Sequence, residues 1–274
     1  MSHFIQEKLN IQKFNKINDS VENDIKYFLD SMADKYNCLD FIESDPISIP
    51  HNYTKKEDIE ISGFLTSTIA WGNRKAILKS ANQLMQWMDD SPYDFIINHT
   101  ENDLKPFKKF IYRTFNGDDC TFFLKSLQNI YTKHNGLENI FNQGYLKNNS
   151  IKDSINNFRN IFFLLPHLPR TEKHIANVNK KSAAKRINMY LRWMVRVDNN
   201  GVDFGLWKDI KPADLMLPLD VHSGRIAREL DLLNRKLNDW NAVLEITEAL
   251  KLFDNNDPVK YDFALFGLGV NKDL

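Results

Sequence analysis

The sequence predicts an all-α fold, and three observations carry the prediction. Apolar residues recur at helical rather than strand spacing along nearly the whole chain. The nine prolines fall mainly between these periodic segments, where they break helices at little cost. The alternating runs that a βαβ unit requires are absent, which counts against Rossmann and P-loop readings.

Taken in order, Val21, Ile25, Phe28, Leu29 and Met32 mark a first amphipathic helix. Ile61, Leu65 and Ile69 mark a second, and Ile77, Ala81, Leu84 and Met88 a third, with the short Trp71-Gly72-Asn73 turn between them. Phe123, Leu127, Ile130 and Tyr131 continue the pattern, as do Ile151, Ile155, Phe158 and Phe162. On a helix opening near Ser182, Ile187, Leu191 and Met194 pack inward. A further helix follows Asp220, with Ile226, Leu230 and Leu233 on its buried side. Gly267 and Gly269, in FGLGV, lie too near the end of the sequence for a phosphate-binding helix to follow. No internal repeat and no low-complexity linker divides the chain.

With 274 residues, 42% of them hydrophobic, the chain can bury a substantial core. Its 36 basic and 36 acidic side chains cancel, so a nucleic-acid or membrane partner must be met by a local patch. Cys38 and Cys120 are too few and too isolated for a disulfide framework, a zinc site or a four-cysteine cluster, which fits a reducing compartment. The opening MSHFIQEKLNIQKFNK has scattered charges and no apolar core of roughly 7–15 residues, and no run approaches membrane-spanning length. The expectation is a cytoplasmic protein without a membrane partner.

The local patch lies between Arg170 and Arg196, where RTEKHIANVNKKSAAKRINMYLRWMVR sets eight Lys or Arg against the single Glu172. Such a run is commonly a solvated helix face. Here Lys185, Arg192 and Arg196 recur at i, i+7 and i+11, a stripe of cations beside the inward face. Trp193 beside them stacks on a base or fills the core, packing being the commoner role.

In LPLDVHSGRIAREL an Asp follows an apolar run and precedes a helix. The ordinary reading of Asp220 is an N-cap. His222 sits near the positive end of that helix and can donate to a phosphate, or is a polar surface residue. Arg225 and Arg228 are read as ion-pair partners of Glu229 and Asp231.

Together, SAAKRINMYLRW and LPLDVHSGRIAREL resemble the helix-hairpin-helix (HhH-GPD) superfamily of DNA base-excision glycosylases, which includes endonuclease III and 8-oxoguanine DNA glycosylase. The chain is most similar to a bacterial family of unassigned function within or near it. That family shares DIEISGFLTSTIAWGNR, KRINMYLRWMVR, LPLDVHSGRIAREL and DPVKYDFALFGLGV, which run from Asp58 to Val270.

The resemblance implies two helical subdomains flanking a cleft, the first over about 58–164 and an HhH-like catalytic region over about 165–235. Residues 1–57 and 236–274 would pack with these. It implies Lys185 and Asp220 as catalytic residues. It further implies Lys181, Arg186, Arg192 and His222 as DNA contacts, with Trp71 and Asn73 in the turn that fills the space left by an extruded base. The implied partner is double-stranded DNA with a damaged base. No cofactor, metal or iron–sulfur cluster is expected, because the cysteine cluster of endonuclease III is missing.

Two departures stand out. The hairpin HIANVNKKSAAKR lacks the Gly-x-Gly turn whose amides meet a phosphate. The 35 positions from Lys185 to Asp220 also exceed the usual gap.

In such a site a carboxylate stabilises the oxocarbenium-like transition state of glycosidic cleavage. A lysine amine can attack C1′ and form a Schiff base, joining base loss to strand nicking. The alternative is a helical DNA- or RNA-binding protein that keeps the fold without the chemistry.

Overall fold

The computed structural model describes residues 23–197 and 199–271. The charged opening Met1 to Lys16 and the first apolar position, Val21, lie outside the described residues. Among those described the protein is predominantly helical, and its sheet is one hairpin of two-residue strands, β1 (Ile111–Tyr112) and β2 (Phe115–Asn116). Helix α1, described over 23–36, buries Leu29, with Ile25, Phe28 and Met32 against the core.

The next segments are α2 (Leu39–Ser44), α3 (Lys56–Ile69), α4 (Arg74–Gln86), α5 (Pro92–Asn98) and α6 (Gly117–Lys133). There follow α7 (Gly136–Tyr145), α8 (Ile151–Phe162), α9 (Lys185–Val195), α10 (Val221–Glu229), α11 (Trp240–Phe253) and α12 (Tyr261–Asn271). The periodic segments read from the sequence coincide with α1, α3, α4, α6, α8, α9 and α10, except that α4 ends at Gln86, before Met88, and α10 at Glu229, before Leu230 and Leu233.

Helix starts are fixed by side chains that accept the orphan amides of the first turn. Asn116 and Asp119 form a reciprocal capping box on α6, Ser150 caps α8, and Asp239 caps α11. Helix α3 is the centre of the fold, with every residue from Ile59 to Ile69 buried. Its serines return their hydroxyls to their own helix, Ser62 to the Asp58 carbonyl at 2.6 Å and Ser67 to that of Phe64 at 2.9 Å. Around Phe64 of α3 gather Phe123, Phe158, Phe162 and Tyr190, with ring centroids 5.4–6.0 Å from its own. This cluster ties α3 to α6, α8 and α9.

Glu60 lies in the same buried helix, its carboxylate accepting from Tyr131 Oη at 2.6 Å and Trp207 Nε1 at 2.7 Å. Burial outweighs these bonds and pushes the carboxyl up to about 7. The folded chain therefore holds a proton that the unfolded chain releases above its ordinary value of 4.5. Stability from this group is full at low pH and is lost as pH rises through that window. Glu60→Gln should gain stability relative to wild type between pH 5 and pH 8, on the order of 2 kcal/mol. Urea unfolding of both proteins at the two pH values checks this, and a pH-independent difference would contradict it.

No helix among the described residues is long and apolar enough to cross a membrane. Cys38 and Cys120 are both free thiols, the latter buried.

Candidate functional site

Asp220 is held where a buried strand-like run meets a helix. Leu217, Pro218 and Leu219 are buried, and the Leu217 amide donates to Thr247 Oγ1 at 3.1 Å. Asp220 then takes an extended backbone and becomes the N-cap of α10. Its Oδ1 accepts from the amides of His222 at 2.8 Å and Ser223 at 3.0 Å, while Ser223 Oγ accepts from the Asp220 amide at 3.0 Å. The cap reading is correct and incomplete. The other oxygen, Oδ2, lies 3.5 Å from Lys185 Nζ.

Lys185 is the first residue of α9, whose N-cap Ala184 is left-handed (φ 51°) and offers no side-chain cap. Its ammonium is 3.8 Å from Met189 Sδ and 5.6 Å from the centre of the Phe266 ring. The Lys185 and Asp220 side chains are 27% and 20% exposed, enough to be reached from outside and too little for free rotation.

The pair opens into a cleft of about 630 Å³. Its walls include Asp45, Trp71, Arg74, Met189, His222 and Phe266. Arg74 lies over the Phe266 ring at 5.3 Å and 3.9 Å from Asp45, whose carboxyl is pushed up by burial. Helix α12 approaches α10 closely because Gly269 has no side chain: a Cβ there would lie 2.9 Å from that of His222. Phe266 and Asp45 were not legible from the sequence. Phe266 falls in an apolar run whose helix is hydrophobic on nearly all sides, so nothing marks one ring as lining a cleft.

The turn between α3 and α4 reaches the same cleft. Gly72 adopts φ +103°, and Asn73 caps α4 by accepting from the Ala76 amide at 3.1 Å. Gly72 and Asn73 are exposed, but Trp71 is packed down. Its carbonyl accepts from Tyr112 Oη at 2.6 Å, and its ring lies beneath the Arg186 guanidinium at 4.7 Å and beside His174 at 6.3 Å. His222 is exposed at the cleft edge, and Lys181 is exposed with a left-handed backbone (φ 62°).

Arg192 is a correction. It is 4% exposed and ion-paired with Asp203 and Asp262, while Arg196, also 4% exposed, pairs with Asp203 and Asp257. Beyond Lys185, the stripe of cations beside the inward face, whose Arg192 the resemblance implied as a DNA contact, is buried against α12 and the loop through Asp203, because three carboxylates converge on it. Only Lys185 at its N-terminal end reaches the cleft. Burial pushes Asp262 up to about 6 against the pull of Arg192. Arg192→Ala, which strands two buried carboxylates, should destabilise the fold by about 3–5 kcal/mol. Chemical denaturation checks this, and a loss under 1 kcal/mol would place the residue at the surface after all.

Trp193 is fully buried, in agreement with its packing role. Arg225 pairs with Glu229 at 2.8 Å as expected. Arg228 instead donates to the carbonyls of Gly224, Arg235 and Lys236 and to Asn238 Oδ1.

The glycine-free hairpin has its own solution. Asn177 Oδ1 accepts from the amides of Asn179 at 3.0 Å and Lys180 at 3.2 Å, so a side chain occupies donors that a Gly-x-Gly turn would leave open. Among the described residues no group of three or more His, Cys, Asp or Glu is placed to hold a metal ion.

Comparison with curated proteins and with solved structures gives no match. Residues 45–271 match the family described as Protein of unknown function (DUF2400). That span takes in Asp45, the α3–α4 turn, Lys185, Asp220 and Phe266, and the chain therefore belongs to the DUF2400 family.

Proposed function

We propose that this protein is a DNA base-excision glycosylase of the helix-hairpin-helix kind, with AP-lyase activity through Lys185. The observation that carries the reading is the meeting of Lys185 and Asp220, 35 positions apart, at 3.5 Å in an open cleft with an aromatic wall.

In this reading residues 58–164 and 165–235 contribute to the walls together with Asp45 and Phe266, and an extruded nucleotide enters between them. Asp220 Oδ2, left free by the cap, faces the sugar as positive charge develops on it. Lys185 first gives up a proton to solvent; its amine then attacks C1′, the C1′–N bond breaks, and the departing base carries off the bonding pair and takes up a proton. Loss of the amine proton and ring opening then give an iminium, from which β-elimination cuts the strand. Trp71, Gly72 and Asn73 stand at the tip that fills the vacated stack, with Asn73 the exposed side chain. Lys181, Arg186 and His222 face the backbone.

The glycine-free hairpin, its amides already taken by Asn177, favours a second reading in which the protein binds DNA or RNA without chemistry. Both readings require electrostatic binding. Duplex affinity should fall steeply with salt, and Lys181→Ala and Arg186→Ala should each make the slope shallower by about one. Fluorescence anisotropy across a salt series measures this. Salt-independent affinity would remove nucleic acid as the partner, and a lesion-containing duplex bound but left intact would favour the second reading.

A further inference from the structure

Beside the cleft, with Lys185 and Arg186 in the lining of both, lies a pocket of about 130 Å³ lined also by Thr68, Lys173, Ser182 and Ala184 among others. At roughly 30 Å³ per water it holds a group the size of a few waters, too small for a nucleobase with its sugar.

Four observations converge on it. The Arg186 guanidinium is partly buried and donates to the carbonyls of Thr68 and His174, yet no carboxylate lies within ion-pair distance of it among the described residues. Desolvation alone acts on it, lowering its affinity for its proton to a pKa of about 10. The nearby acid, Asp119, is spent on Arg170, Thr171, His174 and the Asn116 amide. A partly buried cation with no counter-ion is costly unless a ligand supplies one.

Thr68 is 3% exposed and its hydroxyl has no partner. The first turn of α9, an eleven-residue helix, opens on this pocket with no side-chain cap, so its amides and dipole face the same space. Lys173 adds an exposed cation at the rim.

We propose that this pocket binds one phosphate group, held by Arg186, Lys173, the Thr68 hydroxyl and the first turn of α9. It takes over the anchoring that the Asn177-capped hairpin turn does not offer. The group is either a phosphodiester of a strand lying in the cleft, a form that rests on the DNA reading above, or the phosphate of a small molecule. Both share the chemistry of a tetrahedral oxyanion.

Thr68→Val keeps shape and removes only an unpartnered hydroxyl, and Lys173→Gln changes an exposed side chain, so both should fold. Lys180→Gln, an exposed cation outside the pocket, is the control. Inorganic phosphate is titrated by calorimetry at constant ionic strength, and duplex affinity is measured over a salt series with all four proteins.

Saturable phosphate binding weakened several-fold by Thr68→Val and Lys173→Gln, but not by Lys180→Gln, would support the pocket. If duplex affinity also falls and Lys173→Gln lowers the salt slope by about one, the source is a strand phosphate. That duplex result without free-phosphate binding assigns the same source. Phosphate binding lost with duplex affinity unchanged assigns a small phosphorylated molecule. If neither phosphate nor duplex binding responds to Thr68→Val and Lys173→Gln, the pocket proposal fails. Base release is read separately, so its absence bears on the glycosylase reading and not on the pocket.

Discussion

Asp220→Asn is expected to lower base release about a hundredfold, the scale of losing one preorganised electrostatic group, while duplex binding stays near wild type. The expectation follows from the division of labour between the two carboxylate oxygens. Oδ1 serves the cap, accepting from the amides of His222 and Ser223, and an asparagine carbonyl does the same. Oδ2 faces Lys185 and the cleft, and there the variant loses the negative charge. Asp220→Ala should behave differently, losing the cap as well, at a cost of about 1 kcal/mol in stability. Single-turnover base release beside a thermal melt separates the two. Full activity in a folded Asp220→Asn protein would return the residue to the role of a cap alone.

Lys185→Ala carries the second large effect: a covalent protein–DNA adduct trapped by borohydride should form with wild type on an abasic duplex and disappear in this variant. Lys181→Ala should retain the adduct, because Lys181 lies exposed outside the residues that line the cleft. Gel shift of the trapped species reads both. An adduct that survives in Lys185→Ala would move the nucleophile elsewhere. Base release that persists without any adduct would leave Asp220 as the acid and water as the nucleophile.

The helices were legible because apolar residues recur at helical spacing: in α8 burial follows that spacing, at Ile151, Ile155, Phe158 and Phe162, while the apolar positions Ile61, Leu65 and Ile69 of α3 lie in a helix buried on all sides. The Asp220 cap was legible for the same local reason, a good capping residue between an apolar run and a periodic one. What failed was the environment of the cations on α9. Their shared face follows from spacing, but Asp262 lies 70 positions from Arg192 and Asp257 lies 61 from Arg196, and no local pattern tells which distant carboxylates will cover a stripe.

The hairpin's missing glycines were legible, and the side chain that occupies its amides was not. A rule that demands glycine for open amides does not anticipate an asparagine that satisfies them from within. Phe266 and Asp45 were missed because each sits in a segment whose neighbours are buried, and cleft lining depends on how α12 and the segment before α3 meet α9. Arg186 was expected from the resemblance as a DNA contact. Its lack of a counter-ion belongs to the folded state and cannot be read from a charge run.

The most direct test of the central claim is a panel of duplexes, each carrying one damaged base, incubated with the protein and assayed for abasic sites. At least one lesion is expected to yield abasic sites with wild type and about a hundredfold fewer with Asp220→Asn. Salt-sensitive binding to these duplexes with no abasic site formed on any of them would contradict the assignment of Lys185 and Asp220 as a glycosylase centre.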